Sequence, residues 1–556
     1  MARKKKAYTW EKSYPKGSQW EVEIKPRPIY HFLDNSAEIY PNNDCLEFEG
    51  LKLTYSQVAM FVNRVAQGLQ ESGVVKGTRV GIFMPNCPYF VISYYAILKA
   101  GGIVVNYNPL YAINELVRQV KDSGTSILIT LDNTMLYEKA SNLLRSTSLE
   151  KVIIGCIADM LPFPKNKLLQ WFRRDQIASV HYGKINIALE SFLDLPGEVN
   201  YVPIKPETDI AVLQYTGGTT GTPKGAMLTH ANVYSNAMQC SIWFSGLEAG
   251  KERMMAVLPF FHVFAMTAIM NLSILSGFEI ILMPKFSLKN LLRDIDKKKP
   301  TILLGVPTLF SAINNFPKLK NYDLSSLKAS ISGGASLPLE IKTKFEELSN
   351  CIVIEGYGLS ESSPVVCSNP LNGENRAGSI GLPIPGTIVE IREPEGSKKL
   401  VKNGNIGELC VTGPQVMLGY WNNEKETKNV LKAGRLHTGD LGYMDEDGYI
   451  YIVDRIKDLI IVSGFNVYPR EIEELLYKHV HIEEAAVIGL PDKHKGERIK
   501  AFIKLKAGKK MEAKEVREYL EGRLAKYKLP DEVEFIESVP KTIIGKVAKR
   551  ELKEKK

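Results

Sequence analysis

Through most of the chain, short apolar runs alternate with stretches in which apolar residues return every third or fourth position. The runs at 80–84, 102–106, 126–130, 152–156 and 210–213 have strand length, whereas 29–39, 54–73 and 91–100 carry helical spacing. The alternation resumes downstream, with strands expected at 253–259, 279–283, 301–305, 329–332 and 351–355 and a helix from Ala265. Strands alternating with helices predict an α/β fold on mixed, largely parallel sheets with flanking helices. From 389 to 411, with Gly404 and Gly407 as turns, and again at 448–453, the texture becomes that of antiparallel strands, a small β-rich part. A boundary is expected near Asp454-Arg455-Ile456-Lys457, dividing residues 1–455 from 456–556. The second part reads as a helix at 471–479, strands at 485–490 and 501–506, and a helix at 515–524. That is enough for a small α+β domain with its own core.

Two stretches interrupt this pattern. Residues 254–278 contain no Asp, Glu, Lys or Arg, a length that would permit a spanning helix. Pro259, His262, Asn271 and Gly277 break the run, so a buried strand, a functional turn and a core helix are the expected arrangement. Residues 160–178 mix Leu168, Leu169, Trp171 and Phe172 with Lys165, Lys167, Arg173 and Arg174. They read equally as a surface excursion or as a segment lying in a membrane interface.

Composition narrows the class. A chain of 556 residues needs more than one core, and 24% charged with 44% hydrophobic residues is ordinary for a globular enzyme. The net charge of +9 sits partly in the basic tails, and no nucleic-acid module is recognisable. Seven scattered cysteines, without a CxxC pair or a Cys/His cluster of metal-ligand spacing, favour free thiols in a reducing compartment. No apolar region follows the basic N-terminus, so secretion is not expected, and the C-terminus reads as neither SKL nor KDEL.

The strongest chemical signal is YTGGTTGTPKGAMLTH, from Tyr215 to His230. Gly217, Gly218 and Gly221 free the backbone to curl its N–H groups into one space. Thr216, Thr219, Thr220 and Thr222 add hydroxyl donors, and Lys224 adds a cation. Helix-forming residues resume soon afterwards. Such a turn suits phosphate oxygens. It is neither a Walker A loop, because Pro223 and Gly225 flank Lys224, nor a GxGxxG fingerprint.

Four further segments carry chemistry. Pro259-Phe260-Phe261-His262 sets an imidazole at the end of a strand. Glu355-Gly356-Tyr357-Gly358-Leu359-Ser360-Glu361 offers an aromatic face, open backbone and a carboxylate. His437-Thr438-Gly439-Asp440 ends in a carboxylate able to accept two ribose hydroxyls. The last runs from Pro540 to Lys546 and places a lysine after a glycine turn. Gly358-Leu359-Ser360-Glu361-Ser362 fails the GxSxG rule at Ser362, which weakens a serine-hydrolase reading.

In this order, the segments resemble the AMP-forming acyl-CoA synthetases of the adenylate-forming superfamily, from about Thr54 to Leu552. Three runs make the resemblance closest to bacterial long-chain fatty-acid–CoA ligases: GPQVMLGYW at 413–421, LHTGDLG at 436–442 and VDRIKDLIIVSGFNVYPREIE at 453–473. The resemblance implies that a fatty carboxylate attacks the α-phosphorus of MgATP and that coenzyme A then displaces AMP. It implies phosphate binding by Thr216–Lys224, Mg²⁺ at Glu361, and adenine held by Tyr357 with backbone at Gly334, Ala335, Glu355 and Gly356. Asp440 would take the ribose, Arg455 the ribose or a phosphate, and Ser360 a metal or phosphate contact. Lys546 and His262 are the implied catalytic residues, Lys546 approaching the carboxylate and α-phosphate during adenylation. The small domain would be mobile about Lys457, bringing Ser463-Gly464-Phe465 to line the pantetheine channel.

Departures are equally specific. Ser360 replaces the usual threonine, retaining the hydroxyl. The sequence His262-Val263-Phe264-Ala265-Met266 lacks the tryptophan with which some long-chain members gate the acyl tunnel. Phe260-Phe261-His262 offers no aspartate for an amino-acid amine. The expected partners are a fatty acid, ATP and coenzyme A, with no nucleic acid. A homodimer and a peripheral membrane contact through 160–178, at the inner face of the membrane around a cytoplasmic enzyme, complete the expectation. A medium-chain or aromatic acid, a carrier-protein thiol, or a lipid-transport protein coupling uptake to activation remain as alternatives.

Overall fold

The computed structural model describes residues 7–172, 176–216, 223–394, 399–492, 494–541 and 547–554. Two large sheets dominate. One has eight strands in the order Gly419–Tyr420, Lys224–Thr229, Ile210–Thr216, Ile103–Asn106, Arg79–Ile82, Ile127–Leu131, Lys151–Gly155 and Asn186–Ala188. It is parallel from Ile210–Thr216 outward and antiparallel at the Lys224–Thr229 edge. The other has nine strands, with a parallel centre formed by Ile352–Gly358, Ala329–Ser332, Ile302–Gly305, Arg253–Ala256, Glu279–Leu282 and Asp44–Phe48. Leu51–Thr54 closes one edge antiparallel, and Val365–Ser368 with Leu382–Pro383 closes the other.

Strands buried on both faces read as near-continuous apolar runs, which is why the parallel strands were legible. The helix Pro88–Lys99 is buried at every residue but Lys99 and so must lie inside the packed layers rather than on the surface. The 254–278 run packs beside it: strand Arg253–Ala256, then Val263–Ala265, a π-helical turn Met266–Asn271 and Leu272–Ser276, ended by Gly277 at φ 71°. Its buried amide is satisfied there, since Tyr95 donates to Asn271 Oδ1 at 2.7 Å and Asn271 donates to Tyr94 at 3.1 Å. Among the described residues, no helix is long and apolar enough to cross a membrane.

The β-rich part is an antiparallel sheet of Ile388–Arg392, Gly407–Thr412, Arg435–Met444 and Leu431–Lys432, with Ile450–Arg455 added on Arg435–Met444. Beyond it lies the smaller C-terminal domain, whose core of Ile460, Val467, Ile472, Leu476, Val487, Ile503, Val516 and Leu520 is separate from the main one. The helices Pro469–Tyr477 and Ala513–Leu520 supply four of those side chains. The second helix stops four residues short of the expected 524, because the chain turns extended at Glu521 and Gly522 takes φ 78°.

Residues 160–178 form a helix, Lys165–Phe172, on the outside of the large domain. Phe163 is 80% exposed and Leu168 48%. Lys165 binds the backbone oxygen of Glu49 at 2.6 Å and its carboxylate at 3.3 Å. Arg173 and Arg174 lie outside the described residues. All seven cysteines are free.

One buried histidine ties the glycine-rich stretch to the start of the chain. Thr229 caps the helix His230–Trp243 by accepting from Asn232 N–H, and His230 Nδ1 accepts the N–H of Ile29 at 3.2 Å. Burial lowers the His230 pKa to about 4, so the imidazole is neutral in the fold. The unfolded chain binds a proton there from about pH 6.5 downward, whereas the folded chain does not. Stability should therefore fall by about 3 kcal/mol as pH drops from 6.5 to 4. Denaturant titrations across that range should show this component vanish in His230→Asn, which keeps an acceptor but no titratable group.

Candidate active site

The glycine-rich stretch is a hairpin loop. Ile210–Thr216 and Lys224–Thr229 pair antiparallel, so Thr216 and Lys224 face each other at its base. Sequence reasoning expected helix-forming residues here and missed the return strand. Only six residues long, it is too short to reveal its period. Gly217, Gly218, Thr219, Thr220, Gly221 and Thr222 lie outside the described residues. The frame around them is firm: Tyr215 donates to Asp122 at 2.5 Å, and its ring lies 3.1 Å from where a Cβ on Gly225 would stand.

Lys224 is already engaged. Its ammonium pairs with the carboxylate of Glu426 and lies 5.3 Å from the centre of the Tyr420 ring. The phenol of Tyr420 donates to Glu361 Oε1 at 2.6 Å, and Glu361 accepts Met417 N–H on its backbone oxygen at 2.8 Å. Burial, and next the Glu361 charge, keep that phenol protonated. Glu361 sits in the turn Ser360–Ser362, directly beyond the strand Ile352–Gly358. Gly358 is obligatory there, since a Cβ would stand 2.1 Å from the Pro364 carbonyl oxygen.

The same strand carries the expected adenine residues. Ser332 pairs with Glu355, so the loop through Gly334 and Ala335 leaves its strand beside Glu355 and Gly356. The buried Glu355 carboxylate accepts Leu337 N–H at 3.0 Å and Gly378 N–H at 3.3 Å, pinning that loop. Burial raises its pKa despite these donors. Its side chain thus holds the frame, while its backbone carbonyl accepts Asn369 N–H at 2.9 Å and the Ser368 hydroxyl at 3.3 Å.

Asp440 meets both Tyr357 and Arg455. Tyr357 donates to Asp440 Oδ2 at 2.6 Å, and Arg455 Nε lies 2.9 Å from Oδ1. Asp440 and Arg455 are direct cross-strand partners. Burial, then the Asp440 charge, push the Tyr357 phenol well above its ordinary range. Arg455 is held charged chiefly by Asp440, with Glu361 contributing, so the ribose and metal candidates share one electrostatic field.

Two neighbours of this turn, Glu408 and Cys410, escaped sequence reasoning and gather on His437 of the same motif. Glu408 accepts Gly439 N–H at 3.2 Å and contacts His437 Nδ1 at 2.8 Å, while Cys410 Sγ lies 3.5 Å from the same nitrogen. Glu408, Cys410 and His437 place their ligating atoms within 4.8 Å of one another. Linear spacing conceals this, because two adjacent strands bring the residues together. Both Glu408 oxygens are occupied by the turn, which assigns the group to holding Asp440 in place.

His262 lies where the two large sheets meet. Asn86, beyond the strand Arg79–Ile82, donates to the carbonyls of Ala256 at 3.1 Å and Leu258 at 2.8 Å and accepts Phe260 N–H at 2.8 Å. Gln214 donates to the Phe261 carbonyl at 3.0 Å. His262 Nδ1 accepts Phe264 N–H at 3.3 Å, capping the following helix. The Phe264 ring then reaches within 2.9 Å of a Cβ position on Gly333, joining this turn to the adenine loop.

Ser463-Gly464-Phe465 form the tip of a hairpin, Ile460–Val462 with Phe465–Val467. Ser463 and Gly464 have φ of 51° and 85°, the paired positive values of a tight two-residue turn. Phe465 is exposed and stacks on Tyr527 at 4.8 Å. Ser463 N–H donates to the Lys495 carbonyl at 2.7 Å, tying the tip within its own domain. Lys546 lies outside the described residues, between Lys541 and Val547, which bridge each other.

The model for AMP-binding enzymes matches residues 33–421, and that for the AMP-binding enzyme C-terminal domain matches 471–546. The chain belongs to the AMP-binding enzymes. Among its relatives is the long-chain-fatty-acid–CoA ligase of Bacillus subtilis (strain 168), 44% identical over 553 residues, 98% of this chain and 97% of the other. The ligase of the same name from Yersinia pestis is 37% identical over 556 residues, 98% of this chain and 97% of the other. ATP-bound MatB from Rhodopseudomonas palustris superposes with a TM-score of 0.84 at 27% identity, covering 95% of this chain and 99% of that one.

In this AMP-binding enzyme Asn86 is the main polar tie between the His262 turn and the opposite sheet. Asn86→Ala would leave two carbonyls and one N–H without that partner at a site 3% exposed. The expected loss is about 2 to 4 kcal/mol in denaturant unfolding.

Proposed function

We propose that this AMP-binding enzyme ligates a long-chain fatty acid to coenzyme A through an acyl-adenylate, releasing AMP and pyrophosphate. The observation that carries the reading is 44% identity across 98% of the chain to a ligase of that name. The grouping of Lys224 with Glu361, and of Tyr357 with Asp440 and Arg455, supports it.

Asp440, its carboxylate oriented by Tyr357 and Arg455, accepts the ribose hydroxyls, and the Tyr357 ring with the Gly334–Ala335 backbone holds adenine. Lys224 and the 216–224 loop take the β- and γ-phosphates. Magnesium enters with ATP as its chelate and neutralises phosphate charge. Glu361, a carboxylate with one oxygen fixed by Tyr420, is the hard oxygen donor suited to it. A fatty carboxylate oxygen attacks the α-phosphorus and pyrophosphate leaves. The coenzyme A sulfur then attacks the acyl carbon and AMP leaves. Lys546 offsets the charge that builds during the first step, and His262 lines the acyl end from its cap position. Residues 1–455 and 456–556 act as the two domains, a division favoured by their separate cores. The smaller one turns about Lys457 to exchange Lys546 for the Ser463–Phe465 tip.

Pyrophosphate release with MgATP, measured for acids from acetate to oleate with and without coenzyme A, tests the whole reading. Release should peak with long chains and turn over only with coenzyme A. A peak at short or aromatic acids would move the substrate, and no release with any acid would remove the activity. Lys546→Ala should slow acyl-AMP formation by about a hundredfold or more while leaving thioester formation from supplied acyl-AMP within about threefold. Equal losses in both half-reactions would remove Lys546 from its role.

A further inference from the structure

Glu426 was not singled out by its sequence position, yet it makes the closest contact to the cation of the phosphate loop. We propose that Glu426 is the resident counter-ion of Lys224 and limits how tightly the site holds pyrophosphate, a positioning role that rests on the reading of Lys224 given above.

The frame that aims this carboxylate is well defined. Glu426 lies on the short helix Glu424–Val430, where its N–H donates to the capping oxygen of Asn423 at 3.1 Å. The next residue fastens that helix to the phosphate hairpin. Thr427 Oγ1 accepts Tyr420 N–H at 2.8 Å, and Gly419–Tyr420 pairs with Ala226 and Met227 on the return strand. Glu426 Oε2 then meets the Lys224 ammonium, while Oε1 accepts from Asn429 at 3.0 Å. The lysine and glutamate side chains are only 17% and 29% exposed. Lys224, first of all causes, pulls the Glu426 carboxyl below its ordinary range, so it carries full charge at neutral pH.

Lys224 has little else to turn to. The Tyr420 ring lies 5.3 Å away, and the phenol of that ring is committed to Glu361. Glu426 takes one of the three N–H donors of Lys224, so a phosphate oxygen must share the ammonium with that carboxylate or displace it. In either case the carboxylate also remains near the polyanion and repels it. Both effects weaken binding, and both favour departure of pyrophosphate once it has formed. This competition loosens the product hold without removing the cation that recruits the substrate.

Calorimetric titration of the full-length protein with magnesium pyrophosphate, and separately with ATP, tests this. Glu426→Gln keeps the hydrogen-bonding shape and removes the charge. It should bind pyrophosphate roughly three- to tenfold more tightly, the scale of one partly exposed ion pair and one like-charge repulsion. Glu426→Asp should recover part of the original weaker affinity. In a Lys224→Ala background the same Glu426→Gln change should shift binding by less than about twofold, since only a screened charge effect remains. A purely structural role predicts the opposite sign, because a displaced helix would loosen the hairpin. Unchanged or weaker pyrophosphate binding by Glu426→Gln overturns the inference, as does an equal gain without Lys224. If the unaltered protein binds neither ATP nor pyrophosphate, the reading of the site fails along with the inference. Normal binding with no change in the variant removes the inference alone.

Discussion

Asp440 is a carboxylate with 4% of its surface exposed, and a charge so placed is tolerated only where donors surround it. Its donors come from separate parts of the chain. Tyr357 lies at the end of a strand of the nine-stranded sheet, and Arg455 ends the strand that leads to the small domain; separately, Thr438 Oγ1 accepts the Asp440 backbone N–H at 3.1 Å and fixes the turn. The carboxylate thus draws the large sheet, the antiparallel part and the exit to the C-terminal domain to one point. Because Asp440 and Arg455 are cross-strand partners, the proposed ribose contact and the start of the proposed hinge are one hydrogen-bonded pair. Any rotation of the small domain begins from a fixed end.

A second cluster is built on the same economy of charge. The Gly419–Tyr420 strand edges the phosphate hairpin, and from it Tyr420 reaches Glu361 while Trp421 N–H donates to the Gly225 carbonyl at 2.8 Å. The hairpin is held open at its base by Tyr215 beneath Gly225 and by its bond to Asp122. Loop glycines lose much conformational freedom on ordering, so the fixed ends at Thr216 and Lys224 reduce what a ligand must organise. The rigidity belongs to the neighbours.

The alternating apolar runs were legible because parallel strands buried on both faces advertise themselves in sequence. The uncharged 254–278 run was resolved by Pro259 and His262, which break it, and by Asn271, whose partners Tyr94 and Tyr95 make it affordable in a core. The return strand Lys224–Thr229 was not legible, because Ala226, Met227 and Leu228 fit a helix as well as a strand. Glu408, Glu426 and Asn86 were invisible for a different reason. Each looks like a surface polar residue until its partner arrives from 29, 202 or about 170 positions away. Residue roles that depend on one's own neighbours could be inferred from the chain; roles that depend on a distant partner could not.

Both cations that the proposed site would offer to ATP are paired with carboxylates, Lys224 with Glu426 and Arg455 with Asp440. Pairing makes binding weaker but also more discriminating, since a ligand must outcompete a well-placed carboxylate. A monoanion gains little by exchanging one carboxylate for itself. Under the proposed reading a triphosphate, with several charges on closely spaced oxygens, gains more at Lys224 than a monoanion does. The two exchanges differ in kind. In the proposed site Asp440 would keep Tyr357 as a donor and add ribose hydroxyls without releasing Arg455, whereas Glu426 would share or give up Lys224. Under the proposed reading the nucleoside end would stay bound through both half-reactions while the phosphate end lets go after the first, which is the order that chemistry requires.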